Sequence, residues 1–215
     1  MDTKEINKQV QSKETLSRIT PKIAKQLLID GNKRFTDKDM IERDHEWHIK
    51  ETIDSQHPFG IVLSCIDSRV EPSLIFDQGI GDLFIARVAG NIINQDILGS
   101  MEYACAISGS KIIVILGHTS CGAVKGACDN VKLGNLTATL RRIKLSIERI
   151  DTPENYDRSS KNLEFVDKVA VKNTEIAKQD VIDQSPILKE LYEKGEIEII
   201  RGLYNHSTGE VDFCN

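Results

Sequence analysis

The strongest constraint on the fold is a regular alternation of short apolar runs with longer, helix-like stretches. Four runs are short and rich in β-branched residues, at 59–64, 83–88, 111–116 and 197–200. Such runs are typical of strands buried on both faces. Stretches with a helical pattern separate them, at 71–78, 96–108, 122–130, 136–150 and, with breaks, 162–194. We therefore predict an α/β fold, with a mostly parallel central sheet of about four strands flanked by helices. The segment 211–213 predicts a short additional edge strand.

The chain has room for one core. Its 215 residues are 40% hydrophobic, and no Pro/Gly/Ser-rich linker divides them. Residues 1–20 are polar, lysine-rich and aperiodic, which predicts a flexible arm or an arm that only a partner subunit orders. From Pro21 the apolar residues have helical spacing, and Thr20 is a suitable N-cap. We expect an N-terminal arm over residues 1–20 and a single domain over residues 21–215, which begins with a helix at Pro21.

Charge and hydropathy argue against two classes of partner. The net charge is −5, and the 28 Lys and Arg residues are scattered, so a nucleic acid partner is not expected. The first residues do not resemble a signal peptide, and no run approaches the roughly 18 apolar residues of a membrane span. We expect a soluble, cytoplasmic protein. The five cysteines lack the dense spacing of a disulfide scaffold and are predicted to be thiols or metal ligands.

Two predicted strand ends carry metal-binding side chains. Cys65 follows the first run, and the third run leads into His118 and Cys121. Side chains at the carboxyl ends of neighbouring parallel strands converge on one crevice, and His118 and Cys121 share a face if the turn between them is helical. Two thiolates and an imidazole suit Zn²⁺, and three protein ligands leave a position open for catalysis. Cys128 would lie about 10.5 Å farther along a helix, too far to be a fourth ligand.

Asp67 and Arg69 project from one side of the segment after Cys65. The Asp67 carboxylate has two conceivable roles: it binds the metal, or it accepts a hydrogen bond from water on the metal. A bidentate bond from Arg69 would occupy the carboxylate oxygens, so we favour the hydrogen-bonding role.

These residues complete a known signature. Cys-x-Asp-x-Arg at 65–69 and His-x-x-Cys at 118–121 are the two halves of the motif of β-class carbonic anhydrases, which this chain resembles. The likeness extends over roughly residues 21–213. It includes Gly31-Asn32-x-x-Phe35, Gly81-Asp82-Leu83-Phe84-x-x-Arg87-x-x-x-Asn91 and Gly202-x-Tyr204-x-x-x-x-Gly209.

The resemblance implies an enzyme that hydrates carbon dioxide to bicarbonate by attack of zinc-bound hydroxide, with one Zn²⁺ per chain. It assigns Asp67 and Arg69 as the catalytic dyad. It also places four residues at the substrate pocket, namely Gln56, Phe84, Tyr103 and Gly122. In the family the pocket wall is completed across a subunit interface, which implies a dimer or tetramer.

One difference bears on the state of the metal site. Some family members use a tryptophan three residues before the first cysteine ligand to bind regulatory bicarbonate, and aspartate then closes on the zinc. Val62 stands at that position, and the single tryptophan is Trp47. We therefore expect the open form, with Asp67 off the metal.

Three other functions fit the same site. Hydrolysis of carbon disulfide or carbonyl sulfide would use the same ligands, and access to the site would decide between substrates. A non-catalytic bicarbonate or zinc sensor would not need Asp67 and Arg69. A redox thiol protein would need cysteines that titrate with zinc bound.

Two further groups of residues need an interpretation. The segment His45-Glu46-Trp47-His48 lacks the spacing of a zinc-protease motif and is predicted to be an exposed polar helix face. His206 and Tyr204 suit proton relay, but no pattern places them near the metal.

Overall fold

A single five-stranded sheet organises the computed structural model, which describes residues 3–214. Its strands are β1 (Gly60–Ser64), β2 (Leu83–Arg87), β3 (Ile112–His118), β4 (Glu198–Tyr204) and β5 (Val211–Cys214). They lie in the order β2-β1-β3-β4-β5. The first four are mutually parallel, and β5 pairs antiparallel with β4. The predicted α/β class, the strand positions and the edge strand are confirmed.

The sheet is covered by helices on both faces. They are α1 (Thr3–Lys8), α2 (Lys13–Arg18), α3 (Pro21–Asp37), α4 (His45–Glu51), α5 (Pro72–Ile75), α6 (Gln95–Glu102), α7 (Gly122–Cys128), α8 (Leu136–Glu148), α9 (Leu163–Gln184) and α10 (Pro186–Glu193). A 3₁₀ turn spans Ala89–Asn91, and a π-helical turn over Tyr103–Ile107 extends α6. Every residue of β1 and β3 is buried, as expected for central strands between two helical layers.

Local sequence explains several helix boundaries. The Thr20 hydroxyl accepts a hydrogen bond from the amide of Ile23, and Pro21 occupies the first turn of α3, as predicted. Helix α5 is shorter than the predicted 71–78, because Asp77 has a left-handed backbone with φ 47°.

The N-terminal segment, for which the sequence showed no periodicity, is helical within the described residues. Residues 3–18 form two helices, and α1 packs on α3. Ser12 and Thr15 form a capping box that starts α2, and Leu16 and Ile19 join the hydrophobic core. Each helix has only six residues, less than two turns, so the sequence showed no helical period there.

The segment His45–His48 is exposed except for one residue. His45 to Trp47 lie on the outer side of α4, as predicted. The prediction is wrong for His48, which is 1% exposed. Its ring packs against Gly79, where an added Cβ would lie 2.7 Å from Cε1. Within the described residues, no helix is both long and apolar enough to cross a bilayer.

Candidate metal centre and active site

The three predicted metal ligands converge at the carboxyl ends of β1 and β3. Cys65 follows β1 directly, His118 is the last residue of β3, and Cys121 caps the beginning of α7. The two strands are parallel neighbours, so these ends share one edge of the sheet. One ligand atom from each residue lies within 4.8 Å of the other two, and all three side chains are buried.

The geometry of these ligands fits a tetrahedral zinc ion. The Sγ atoms of Cys65 and Cys121 are 4.0 Å apart. Two zinc–sulfur bonds of about 2.3 Å at the tetrahedral angle would separate the sulfurs by about 3.8 Å. The Nε2 atom of His118 is buried and has no hydrogen-bond partner among the described residues. A buried nitrogen lone pair beside two thiols is suited to a metal.

The ring of His118 is oriented from its far side. Its Nδ1 lies 3.0 Å from the carbonyl oxygen of Thr119, which can only accept a hydrogen bond. This contact assigns the proton to Nδ1, and Nε2 then keeps its lone pair for a metal.

The two thiols are electrostatically coupled. Their mutual hydrogen bond is the largest cause that lowers the pKa of Cys65, to about 4, and the amide of Gly90 contributes by donating to its sulfur at 3.3 Å. The same bond, followed by burial, raises the pKa of Cys121. A divalent cation would favour the deprotonated form of both thiols.

The turn between His118 and Cys121 is not the helical turn that the sequence suggested. Ser120 has φ 54°, in the left-handed region that non-glycine residues seldom adopt. The reversal at Ser120, rather than a shared helical face, directs Cys121 back toward His118. The amide of Ser120 donates to Oδ1 of Asp167 at 2.7 Å, which holds the turn.

Asp67 and Arg69 form a bidentate pair beside the ligands. Arg69 Nη2 lies 2.8 Å from Asp67 Oδ2, and that oxygen is 4.0 Å from Nε2 of His118. Hydrogen bonds from the Arg69 side chain hold the pKa of Asp67 well below its usual range. Arg87 shapes the same loop by donating to the carbonyl oxygens of Cys65 and Asp67.

His206 is a residue of the site that sequence reasoning did not place. Its Nε2 lies 3.0 Å from Nδ1 of His118. Burial, and then the nearby Arg69 charge, lower the pKa of His206. Strands β3 and β4 pair His118 with Tyr204, so the loop after β4 lies next to the metal ligands. The order of the strands, and not a local motif, is therefore the feature that could have placed His206 near the metal ligands.

Comparison with known proteins decides the family. The family model described as carbonic anhydrase matches residues 60–211, which contain both halves of the ligand set. This chain belongs to the β-carbonic anhydrase family. The match covers more than half of the chain and all of the sheet from β1 to the first residue of β5.

Relatives and solved structures agree with this assignment. A carbonic anhydrase of Mycolicibacterium smegmatis is 30% identical over 193 residues, covering 89% of this chain and 92% of that protein. Carbonic anhydrase 2 of Mycobacterium tuberculosis is 38% identical over 123 residues, or 54% of this chain, and the match spans just over half, 56%, of that relative. A structure of tetrameric β-carbonic anhydrases from Sordaria macrospora has a TM-score of 0.67 at 22% identity. It covers 79% of this chain and 90% of that chain and shows the shared fold.

The residues expected at the family's substrate pocket fall into two places. Gly122 adjoins Cys121, and an added Cβ there would meet no atom within 4 Å, so the position borders open space. Phe84 and Tyr103 lie together, with ring centroids 6.0 Å apart, in a groove of about 790 Å³ along β2. Phe84 pairs with Ile61, four residues before Cys65, which separates it from the ligands by roughly 13 Å along the strands.

Gln56 lies farther still from the ligands of its own chain. It is exposed in the loop between α4 and β1, four residues before the amino end of that strand. Cys65 follows the opposite end, so about 16 Å of strand separates the two levels of the sheet. Within one chain, then, the fold does not bring Gln56, Phe84 or Tyr103 to the metal ligands.

Proposed function

We propose that this chain catalyses the reversible hydration of carbon dioxide to bicarbonate and a proton. The observation that carries the proposal is the cluster of Cys65, His118 and Cys121 with the Asp67 carboxylate beside it. Cys65, His118 and Cys121 would hold one Zn²⁺. When bound, zinc supplies the Lewis acidity that makes a water molecule nucleophilic near neutral pH.

In this proposal Asp67 orients the attacking water. Its pKa is low, so the carboxylate is ionised and can only accept hydrogen bonds. Arg69 keeps both oxygens in a fixed plane and pairs with their negative charge, which makes the carboxylate a weaker ligand for a metal. This favours an open site in which Asp67 accepts a hydrogen bond from water. The space at Gly122 would admit a small, weakly polar substrate.

We propose that a second copy of the chain completes the substrate pocket. Strand β2 is an edge strand, and all five of its residues are only partly buried. Tyr103, which lines the groove beside it, is 53% exposed. A copy packed along this edge would cover the groove and bring Gln56, Phe84 and Tyr103 toward the partner's metal ligands. The tetrameric assembly of the Sordaria macrospora proteins is compatible with such pairing.

The test is stopped-flow hydration of carbon dioxide by zinc-loaded protein, with Asp67→Asn alongside. We expect a zinc-dependent rate that rises over roughly pH 6.5 to 9. Two thiolate ligands cancel the charge of the metal, so water on it should have a higher pKa than water on a zinc ion held by neutral ligands. The variant should retain zinc and lose most of the rate. Absence of hydration at every pH, with one zinc per chain, would contradict the proposal, and carbonyl sulfide and carbon disulfide would then be assayed.

A further inference from the structure

Helix α9 contacts the turn between His118 and Cys121 and the 3₁₀ turn that contains Gly90, whose amide contacts Cys65. Near its beginning, Asp167 accepts the amide hydrogen of Ser120 at 2.7 Å, in the turn between His118 and Cys121. Six residues later, the Asn173 side chain donates to the carbonyl oxygen of Gly90 at 2.8 Å. One helix therefore fixes the backbone at two points next to the ligand set.

The bond from Asp167 stabilises an unfavourable backbone conformation. Ser120 has φ 54°, and a residue with a Cβ pays a conformational cost there. If the backbone dihedral angles of Ser120 relaxed to a more favourable region, the chain would approach Cys121 from a different direction. The sulfur of Cys121 would then move away from His118. A charge-assisted hydrogen bond opposes that relaxation.

The bond from Asn173 acts on the other thiol. The amide of Gly90 donates to the sulfur of Cys65 at 3.3 Å, while the carbonyl of the same residue accepts from Asn173. Asn173 is 4% exposed and is itself held by the Ser146 hydroxyl, which donates to its Oδ1 at 3.3 Å. Asn173 thus holds the peptide group that follows Gly90, next to the peptide group whose N–H points at the Cys65 sulfur.

Helix α9 packs closely on the strand that ends at His118. A Cβ added at Gly117 would lie 2.7 Å from the Cγ2 of Thr174, so α9 lies directly against the end of β3. The close approach of α9 to the residue before His118 therefore requires glycine at position 117.

We propose that Asp167 and Asn173 are positioning residues that set the metal affinity and ligand geometry of the Cys65, His118 and Cys121 site. The inference rests on the proposed function in one respect, that zinc is the resident metal. Neither residue touches the metal or the substrate in this scheme. Asp167 acts through the backbone of the turn between His118 and Cys121, and Asn173 acts through Gly90, whose amide donates to the Cys65 sulfur.

Zinc affinity of the full-length chain, measured by competition with a chromophoric chelator, tests the role of Asp167. We expect Asp167→Ala to bind zinc about 10- to 100-fold more weakly, as is usual when a group that orients a ligand is removed. Asp167→Asn keeps an oxygen that can accept from Ser120, so its affinity should stay within about threefold of the wild type. Glu164→Ala is the matched control, because Glu164 lies one turn earlier on α9 and pairs with the exposed Lys168 on the same helix.

The absorption spectrum of the cobalt-substituted protein gives a second readout that general destabilisation would not change. Bands from sulfur-to-cobalt charge transfer report on the two thiolates. They should shift in Asp167→Ala and Asn173→Ala and keep their wild-type positions in Asp167→Asn and Glu164→Ala. Wild-type affinity and spectrum in both alanine variants would overturn the proposal. If Asp167→Asn bound zinc as weakly as Asp167→Ala, the proposal would be overturned for Asp167, since the charge and not the hydrogen bond would then determine the zinc affinity.

Thermal unfolding of the metal-free variants separates misfolding from loss of positioning. If Asp167→Ala does not fold, Ser120→Gly is added to it, because glycine adopts a left-handed backbone without strain. Zinc affinity should then recover, and a folded double variant with no recovery would overturn the proposal. Wild-type protein that binds zinc but does not hydrate carbon dioxide would refute the proposed function, and the affinities would still decide the roles of Asp167 and Asn173.

Discussion

The guanidinium of Arg69 holds the Asp67 carboxylate through two parallel hydrogen bonds, from Nε to Oδ1 at 3.0 Å and from Nη2 to Oδ2 at 2.8 Å. The backbone amide of Arg69 adds a third bond to Oδ1, also at 3.0 Å. Three donors from one residue fix both the plane and the charge of the carboxylate. The oxygen nearer to the metal ligands, Oδ2, then has one fixed direction in which to accept from water.

This geometry predicts that lysine cannot replace Arg69. An ammonium group offers a point charge on a flexible chain and cannot make the parallel pair of bonds. We expect Arg69→Lys to lower the hydration rate by about tenfold or more while zinc content stays at the wild-type level. Glu71→Gln is the control, because Glu71 lies in the same loop and pairs with Arg87. A wild-type rate in Arg69→Lys would show that charge alone is sufficient.

The ligand assignment predicts which cysteine the metal requires. Cys121 is buried 4.0 Å from Cys65, whereas Cys128 lies at the far end of α7. We expect Cys121→Ser to bind zinc far more weakly, since a hydroxyl is a poor ligand for zinc. Cys128→Ser should keep one zinc per chain. Metal content after dialysis, measured by atomic emission, decides the matter, and equal zinc in both variants would refute the assignment.

Sequence was sufficient for the features that depend on local pattern. Buried strands appear as continuous apolar runs, so β1 to β4 could be placed within a few residues. Cys65, His118 and Cys121 could be grouped because the carboxyl ends of neighbouring parallel strands converge.

Features that depend on packing between distant elements could not be predicted. His206 and Asp167 lie beside the ligand loops through the order of β3 and β4 and the docking of α9, which no local spacing specifies. Burial of His48 likewise follows from close packing on Gly79. Gln56, Phe84 and Tyr103 could be named only from family resemblance, and their separation from the ligands follows from strand register.

The approach of α3 to the segment after α5 predicts a severe effect at Gly31. A Cβ added there would lie 1.8 Å from the carbonyl oxygen of Phe76, a backbone atom that cannot move freely. Although alanine favours helices, we expect Gly31→Ala to lower the free energy of unfolding by about 1–3 kcal/mol or more. Gln26→Ala, exposed on the same helix, should change it by less than about 0.5 kcal/mol. Urea denaturation measures both, and equal stability of the two variants would contradict this packing.

The carboxyl group of Asp82 predicts a pH-dependent contribution to stability. Burial raises its pKa to about 7, although the amide of Gly79 donates to Oδ2 at 2.7 Å and Arg43 favours the charged form. Its other oxygen, Oδ1, has no partner within the described part of the chain. In the unfolded chain the pKa of an aspartate is about 3.9. Between about pH 4 and 7 the folded protein therefore retains a proton that the unfolded chain releases.

The sign of this effect distinguishes Asp82 from an ordinary paired carboxylate. Because the folded state binds more protons, the contribution of Asp82 is greatest below about pH 4 and falls as pH rises toward 7, by at most about 1.4 kcal/mol per pH unit. Asp82→Asn cannot titrate and keeps an oxygen for Gly79. The free energy of unfolding is measured with urea at pH 5, 6 and 7. The wild type should lose stability relative to Asp82→Asn as pH rises. The control is Asp37→Asn, at an exposed pair with Lys33, and the wild type should show no such trend relative to it. A constant difference would mean that Asp82 is ionised in the folded protein, with the Gly79 amide and Arg43 outweighing burial.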